Sequence, residues 1–285
     1  MFTSTSKDKF SLAILGACLL CAPLAAQAQG IVRAEPTYAD LADLADGAKV
    51  VLQAEIRKQV VVEPARAPGL KPGFARLYIE ARTLSLLSGK EPVGESLRYL
   101  VDVPLDAKGK VPKLKKQQVL LFARTVPGRP GELQLQGPDA QQPWSEELAT
   151  RLRPILAAMA DPSAPAAVTG VRDAISVEGN LAGESESQIF LSTREGEPVT
   201  ISVIRRPGQP PVWGVSWTDI VDQAAAPPSP GTLAWYRLAC FLPGTIPASA
   251  NLSRDGASRS RAAADYRYVV EQLGQCPRNL HGLSQ

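Results

Sequence analysis

SQIFLSTREGEPVTISVIRRPGQPPVWGVSW, residues 187–217, is the stretch that decides the fold of this chain. It predicts three β-strands, Gln188–Thr193, Val199–Arg205 and Val212–Trp217, because polar turns rich in Gly and Pro separate three apolar segments. The turns are too short to hold a crossover helix, so the strands must pair as an antiparallel sheet. Val199, Ile201 and Val203 alternate with less apolar neighbours, as a half-buried strand requires.

The first 28 residues have the organisation of a secretory signal peptide. Lys7 and Lys9 supply a positive segment, an apolar segment follows over 11–25, and Ala26-Gln27-Ala28 offers the small-x-small pattern that signal peptidase cleaves. Lipoprotein processing at Cys18 is the alternative interpretation. The sequence therefore predicts a periplasmic or secreted protein, with 257 residues remaining when 28 of 285 are removed.

The composition is that of an ordinary globular protein, with 45% hydrophobic and 21% charged residues. Removal of the signal would lower the formal net charge from +3 to +2, because it takes away two lysines and one aspartate. A charge this small neither favours nor excludes a nucleic-acid partner. No second apolar segment approaches the roughly 20 residues of a membrane-spanning helix.

Two cysteines, Cys240 and Cys276, would remain after export. An even number of cysteines in an oxidising compartment predicts a disulfide bond between them. The chain has one histidine, His281, which is too few for a zinc site and too close to the terminus to serve as a catalytic base. Nucleotide-binding and zinc-protease motifs are also missing. The sequence therefore predicts neither a metal nor a cofactor.

Residues 29–160 are predicted to form a first domain, a small five-stranded barrel with a C-terminal helix. The strand candidates are Lys49–Val62, Ala75–Leu87, Ser96–Val103, Gln118–Thr125 and Glu132–Leu135. Five strands, most of them long, suggest closure into a barrel. Their number and length resemble the architecture of an OB-type barrel, a resemblance that implies no particular function. The helix, Pro143–Ala160, is predicted to start at a Ser145 cap and to be interrupted at Pro154.

Residues 166–285 are predicted to form a second, α+β domain beyond a Pro-rich boundary at Asp161–Pro165. Val168–Val177 is predicted to be a short helix that precedes the three-stranded sheet. Two further helices follow the sheet, Thr232–Leu242, which is predicted to be capped by Thr232, and Ser260–Gly274, and the disulfide joins their ends. The fold class is thus mainly β with α+β: an OB-like barrel and helix, then an antiparallel three-stranded sheet with a disulfide-linked helix pair.

Two loops of the predicted barrel, Glu63–Gly73 and Asp106–Lys116, carry most of its local positive charge. One interpretation is a basic rim that binds an anionic glycan, a lipid headgroup or nucleic acid. The other is a solvated lysine-rich hairpin that keeps a sheet edge soluble. The candidate ligand-binding residues are Arg66, Lys71, Lys108, Lys110, Lys113, Lys115 and Lys116.

Aromatic side chains that could stack a ligand are few in this region. Tyr78 and Tyr99 are the two candidates on the barrel face, whereas Phe74 and Phe122 are assigned to the core. An OB-type barrel that binds nucleic acid or glycan commonly uses such stacking side chains.

Catalytic residues are not predicted anywhere in the chain. Ser185 lies in the stretch Gly-Glu-Ser-Glu-Ser, but the nucleophile motif needs glycine at Ser187 and a histidine base. Glu184 and Glu186 are a candidate acid–base pair, although solvated loop carboxylates are the favoured interpretation.

The sequence favours an exported, non-catalytic binding protein whose partner is an anionic envelope component or another envelope protein. The alternative is a hydrolase that cleaves an envelope polymer with a pair of carboxylates, because such enzymes need no histidine. Two inward-facing carboxylates roughly 5–9.5 Å apart in a cleft would favour the hydrolase. A shallow basic surface would favour binding.

Overall fold

The computed structural model describes residues 1–3, 35–218 and 225–280. Nearly all of the predicted signal peptide, including Cys18, lies outside the described residues, and so does His281. The chain from Ala34 to Gln285 forms one compact unit.

Four α-helices and ten strands make up the described part of this unit, together with two short 3₁₀ turns. In chain order they are α1 (Tyr38–Gly47), β1 (Val50–Val61), β2 (Phe74–Gly89), β3 (Ser96–Pro104), β4 (Gln118–Thr125), β5 (Leu133–Leu135), β6 (Gln141–Pro143), α2 (Glu146–Ala160), β7 (Val168–Glu178), β8 (Ser185–Thr193), β9 (Val199–Arg205), β10 (Val212–Ser216), α3 (Leu233–Ala239) and α4 (Gly256–Leu273).

The first sheet has six strands in the order β3-β2-β1-β4-β5, with β6 also paired to β4. The named strand pairs in it are antiparallel. Every second residue of β3 from Leu97 to Val103 is buried, and these side chains join Leu52, Leu77 and Leu121 in a core enclosed by the curved sheet. The strand predictions for this region are confirmed to within a few residues, and β6 is an additional short strand.

The two outer strands of this sheet, β3 and β5, meet at one point. The Arg98 N–H donates to the Gly131 carbonyl at 2.8 Å, and a single parallel bridge joins Arg98 to Glu132. A Cβ on Gly131 would lie 2.8 Å from the Ser96 carbonyl oxygen, and its φ is +78°, so this contact requires glycine. Among the described residues no ladder extends the contact, so the sheet is open and a closed barrel is not confirmed.

The second sheet has four antiparallel strands in the order β10-β9-β8-β7. The three strands predicted from residues 187–217 are confirmed as β8, β9 and β10. The helix predicted over Val168–Val177 is wrong, because this segment is the fourth strand, β7. Register shifts beside Gly170 and Asp173 interrupt the alternation of β7, which hides the period of two that identifies a strand.

The helix caps follow local sequence rules. The Ser145 hydroxyl accepts the Leu148 N–H at 3.0 Å at the start of α2, as predicted. Pro154 lies within α2, and the helix continues past it to Ala160, the predicted end. The Thr232 hydroxyl accepts the Trp235 N–H at 3.2 Å at the start of α3, which also confirms a predicted cap.

The last helix begins earlier than the sequence predicted. The Asp255 carboxylate accepts the Ser258 N–H at 2.8 Å, so α4 starts at Gly256 rather than at Ser260. The disulfide between Cys240 and Cys276 is present, with Cα atoms 5.2 Å apart. It joins the end of α3 to the segment that follows α4.

A second, larger hydrophobic core lies among the helices and both sheets. The sheets contribute side chains from the faces that look toward the helices, and all four helices contribute apolar residues. Its members include Leu41, Val51, Phe122, Leu152, Ile201, Trp213, Tyr236 and Tyr266. The predicted boundary at Asp161–Pro165 lies between α2 and β7, and apolar packing continues across it. The division into two domains stays a prediction that unfolding measurements can decide.

Candidate functional site

Both basic loops leave the same end of the first sheet. The last residues of β1 pair with the first residues of β2, and Phe74 at the start of β2 pairs with Pro104 at the end of β3. The Leu105 N–H donates to the Gly73 carbonyl at 2.9 Å, which joins the loops at their bases. The candidate residues Arg66 and Lys71 are therefore displayed at the end of the sheet from which the five loop lysines also extend.

The β3–β4 loop is fixed across the end of the first core. Gln59 in β1 donates to the Pro112 carbonyl at 2.9 Å and accepts the Leu114 N–H at 2.6 Å. The Lys116 N–H donates to the Ile56 carbonyl at 2.7 Å. Leu114 also packs against the first core. Hydrogen bonds to its backbone and the packing of Leu114 thus hold the lysine-rich segment in one path over the sheet.

A tight turn at Asp106–Lys110 presents the other two lysines of this loop. The Asp106 carboxylate accepts the N–H groups of Lys108 and Lys110, each at 2.8 Å. The Asp106 N–H donates to the Lys110 carbonyl at 2.9 Å, and Gly109 supplies the positive φ of 70° that the turn needs. These hydrogen bonds stay within the turn, and the two lysine side chains are exposed.

The positive charge of this surface is not neutralised locally. Loops Glu63–Gly73 and Asp106–Lys116 contain seven basic and two acidic residues, a net charge of +5. All seven basic side chains are exposed, and within the described ranges none of them forms an ion pair. By contrast, Lys58 in the neighbouring strand pairs with Glu80 at 3.1 Å. The loop lysines are therefore available to an anionic ligand.

A shallow cleft lies beside the fixed segment, with an empty volume of about 760 Å³. Glu55, Ile56, Arg57, Lys115 and Lys116 line it. The Arg57 guanidinium lies 2.5 Å from the Glu55 carboxylate and holds the pKa of Glu55 below its usual range. Because that carboxylate is already paired with an arginine, Lys115 and Lys116 are the cations of the cleft that remain unpaired.

The aromatic candidates differ in how far their side chains are exposed. Tyr99 is 3% exposed, its hydroxyl donates to Gln141 at 2.7 Å, and burial raises the pKa of Tyr99. The prediction that Tyr99 could stack against a ligand is therefore wrong. Tyr78 is half-buried on the outer face of β2. Phe122 is fully buried as predicted, whereas the assignment of Phe74 to the core is wrong because it is 38% exposed.

The residues of the incomplete nucleophile motif are either buried or hydrogen-bonded to their own segment. Ser185 is 4% exposed at the start of β8. The Glu184 carboxylate accepts the Leu181 N–H at 3.3 Å, and Glu186 accepts a hydrogen bond from Gln188 at 3.0 Å. The carboxylates on either side of Ser185 therefore bind groups of their own segment.

A buried polar cluster that the sequence did not reveal ties α4 to the second sheet. Asp265 is fully buried and accepts from the Ser187 hydroxyl and from Arg205 Nε, each at 2.5 Å. The Ser187 oxygen lies 2.9 Å from the Ser176 hydroxyl, which accepts from Arg261 Nε at 3.1 Å. These residues are scattered over 90 positions of the chain, so no local sequence motif could have indicated them.

An open groove lies above this cluster, with an empty volume of about 1140 Å³ and walls formed partly by Arg205 and Arg261. Its two carboxylates belong to Glu178 and Glu184. Glu178 is exposed and pairs with Arg261 at 3.1 Å, and Glu184 binds backbone as described. The groove therefore presents carboxylates that are already engaged by neighbouring groups.

Within residues 1–3, 35–218 and 225–280, no group of three His, Cys, Asp or Glu side chains is placed to hold a metal ion. None of the helices described there is long and apolar enough to cross a membrane. A search of protein-family models finds no match to this chain, and a search of curated proteins finds none either.

Proposed function

We propose that this protein is an exported, non-catalytic binding protein that holds an anionic polymer of the cell envelope on its two basic loops. The observation that carries the proposal is the lysine-rich β3–β4 loop, which is fixed on the sheet while its cations have no acidic partners among the described residues. A preformed, unneutralised surface binds a polyanion without ordering a loop first. Because the surface is shallow and its charges are spread, it suits a chain of repeated anionic groups such as an acidic glycan.

The strand order of the first sheet supports an OB-like interpretation. Strands β1 to β5 follow the order 3-2-1-4-5, and the single bridge between β3 and β5 brings the two ends of that path together. OB folds are partly open five-stranded barrels that bind oligosaccharides and oligonucleotides through the loop between strands 1 and 2, among others. Here that loop is Glu63–Gly73, which contains Arg66 and Lys71.

Two further observations support export and binding. The disulfide between Cys240 and Cys276 is of the kind that persists in oxidising compartments such as the periplasm. A hydrolase with a carboxylate pair would need two free inward carboxylates, whereas Asp265, Glu178 and Glu184 each bind a neighbouring group. Because these three carboxylates are already bound by neighbouring groups, they favour a binding function over hydrolysis.

Heparin, a sulfated glycan, is the probe for this surface. Replacing Lys113, Lys115 and Lys116 with Gln should weaken retention of the mature protein on heparin, because fewer counterions are released on binding. The slope of log affinity against log salt concentration should flatten by roughly 2–3, close to one per cation removed.

The matched control removes three exposed positive charges elsewhere: Lys49 and Lys90, at the opposite end of the first sheet, and Arg254. This variant has the same net charge as the triple loop variant. A difference in heparin retention between the two variants would therefore be due to the basic loops and not to net charge. Equal retention and equal salt slopes for both variants would show that only net charge matters and would overturn the proposal.

A further inference from the structure

The groove beside α4 has opposite charges along one row of the second sheet. Glu178 at the end of β7 pairs with Ser185 in β8, and Ser185 pairs with Arg205 in β9. Directly paired residues of neighbouring strands point to the same face of a sheet. Because Ser185 is buried, this is the face on which α4 packs. Neighbouring strands lie about 4.8 Å apart, so the Cα atoms of Glu178 and Arg205 are separated by roughly 10 Å.

The guanidinium group of Arg205 is fixed on one side and free on the other. Its Nε donates to the fully buried carboxylate of Asp265 at 2.5 Å, and the other oxygen of that carboxylate accepts from the Ser187 hydroxyl. Arg205 lines the groove, and among the described residues neither its Nη1 nor its Nη2 has an acceptor. Two free nitrogens on a fixed guanidinium can bind a carboxylate through two parallel hydrogen bonds.

The second arginine of the groove, Arg261 in α4, is held by the same buried cluster. Its Nε donates to Ser176 Oγ at 3.1 Å, and Ser176 is hydrogen-bonded to Ser187. Its Nη1 and Nη2 donate to Oε1 of Glu178, each at 3.1 Å. The cluster therefore positions both arginines before a ligand arrives, which lowers the cost of binding. Arg205 is the arginine whose terminal donors remain for that ligand.

The opposite end of the groove has two carboxylates that each keep one oxygen for a ligand. Glu178 binds Arg261 through Oε1, and Glu184 binds the Leu181 N–H through Oε2. Within the described ranges, no group donates to Glu178 Oε2 or to Glu184 Oε1. A Cβ on Gly179 would lie 2.5 Å from Glu184 Oε2, so the Glu184 side chain lies over the residue that follows Glu178. An ammonium group at this end would therefore meet anionic acceptors.

The charge of the groove favours a ligand that carries both signs. Two arginines and two glutamates line it, so the lining has no net charge, and the buried Asp265 beneath adds one negative charge. A ligand that is only an anion gains little, because the carboxylates offset its attraction to Arg205. A ligand with a carboxylate at one end and an ammonium group at the other is attracted at both. Between the charged ends the walls include the exposed side chains of Leu181 and Ala264.

We propose that this groove binds a zwitterion, either an amino acid or a short peptide, with its carboxylate on Nη1 and Nη2 of Arg205 and its ammonium group beside Glu178 and Glu184. Leu181 and Ala264 contact the apolar part of the ligand between these two ends. The site lies on the second sheet, apart from the basic loops, and does not depend on the function proposed for them.

Four probes with apolar side chains test the site on the mature protein: alanine, leucine, trialanine and the tripeptide Ala-Leu-Ala. Isothermal titration should give a dissociation constant below about 1 mM for at least one of them. Tighter binding of the amino acids would identify a free amino acid as the ligand, and tighter binding of the tripeptides would identify a peptide. Acetylation of the amine and amidation of the carboxylate of the best probe should each weaken binding about tenfold, as expected for the loss of a charge-assisted hydrogen bond.

Two variants test the basic end and the space between the ends. Arg205→Lys keeps a positive charge near Asp265 but loses the planar fork, and it should weaken binding about tenfold. Arg206→Lys, the same change at the exposed neighbour, should have no effect. A change at Arg205 can also lower stability, so Ala264→Trp provides the second test. It fills the groove from an exposed position of α4 outside the buried cluster and should abolish binding.

A third variant tests the acidic end. Glu184→Gln keeps an oxygen for the Leu181 N–H but removes the charge, so it should reduce the penalty for acetylating the probe. Glu186→Gln, on the opposite face of β8, should leave that penalty unchanged. Lys-to-Gln changes at Lys113, Lys115 and Lys116 should not affect any probe, which separates this site from the basic loops.

Three results would overturn the proposal. One is the failure of all four probes to bind with a dissociation constant below about 1 mM. Another is binding that Arg205→Lys and Ala264→Trp both leave unchanged, since the probe would then lie elsewhere. The third is an acetylated probe that binds as tightly as the free one, which would show a site for carboxylates alone.

Discussion

Asp40 is a fully buried carboxylate whose partners in the described chain are hydrogen-bond donors rather than guanidinium groups. It accepts the Thr37 N–H at 2.8 Å, the Asn279 N–H at 2.9 Å and the Leu280 N–H at 3.2 Å. Thr37 caps α1 in return by accepting the Asp40 N–H at 3.1 Å. A carboxylate in the first helical turn is also favoured by the positive end of the helix dipole.

Replacing Asp40 with Ala should lower the free energy of unfolding by about 3 kcal/mol, because several buried N–H groups lose a charged acceptor at once. Asp40→Asn should cost less, since the amide keeps one acceptor oxygen. Urea unfolding followed by circular dichroism measures both. Asp161, an exposed aspartate that binds Ser163, is the control, and Asp161→Ala should unfold close to the wild type. An Asp40→Ala protein as stable as that control would contradict the prediction.

The caps show which residues the sequence could indicate. Ser145 and Thr232 were predictable because a cap and the N–H that it binds lie within three residues. Two partners of Asp40, Asn279 and Leu280, lie about 240 positions away in the chain, so no local pattern could indicate them. The basic residues of the loops were also identifiable from sequence, but the anchoring of their loop by Gln59 depends on strand pairing that only the fold brings about.

Three aspartates of helix α1, spaced three residues apart, join this helix to later parts of the chain. Asp43 accepts from the Tyr236 hydroxyl and from Arg278 Nε, each at 2.6 Å. Asp46 accepts from Arg237 at 2.7 Å and from Arg194 at 2.9 Å. Together with Asp40, these side chains bind the turn after β8, helix α3 and the segment after α4.

The pH dependence of stability should reveal the contribution of Asp46. Burial alone would raise the pKa of Asp46, but Arg237 and Arg194 outweigh burial and hold it below its ordinary value of 3.8. A lowered folded-state pKa stabilises the protein above about pH 4, and this contribution is lost as the pH falls through the folded-state pKa. Asp46→Asn should therefore be less stable than the wild type at neutral pH, with a difference that shrinks below about pH 4.

Urea unfolding of wild type and Asp46→Asn in a series of buffers from neutral to acid measures this difference. Glu195→Gln, in the exposed turn beside Arg194, is a control that should not reproduce the change with pH. A difference between Asp46→Asn and wild type that is the same at every pH would show that the aspartate acts through packing alone.

The strands show why the sequence indicated some elements and missed others. β9 was evident because its alternation is unbroken, with Val199, Ile201 and Val203 all buried. β7 was mistaken for a helix because two register shifts break its alternation, and one of its buried positions is the polar Ser176. Burial of that serine depends on hydrogen bonds to Ser187 and Arg261, which belong to distant elements.

The disulfide and the shared core decide how the compact unit from Ala34 to Gln285 should unfold. The bond fixes the segment after α4, whose residues 278–280 bind Asp40 and Asp43 in α1. Helix α1 in turn packs with Val51 and Phe122 of the first sheet in the larger core. Contacts therefore lead from the disulfide to the first sheet, although the sequence predicted two domains with the bond confined to the second.

Replacing Cys240 and Cys276 with Ser should lower the free energy of unfolding by up to about 3.8 kcal/mol, the chain-entropy value for a loop with a sequence separation of 36. We expect both sheets to lose stability together, because the released segment no longer holds α1. Amide hydrogen exchange measured by mass spectrometry on peptides from β2 and from β9, across a urea series, follows the two sheets separately. Peptide mapping of the non-reduced wild type checks that the bond is formed. A first sheet that unfolds at its wild-type urea concentration while the second is destabilised would instead support two independent domains, with the boundary at Asp161–Pro165.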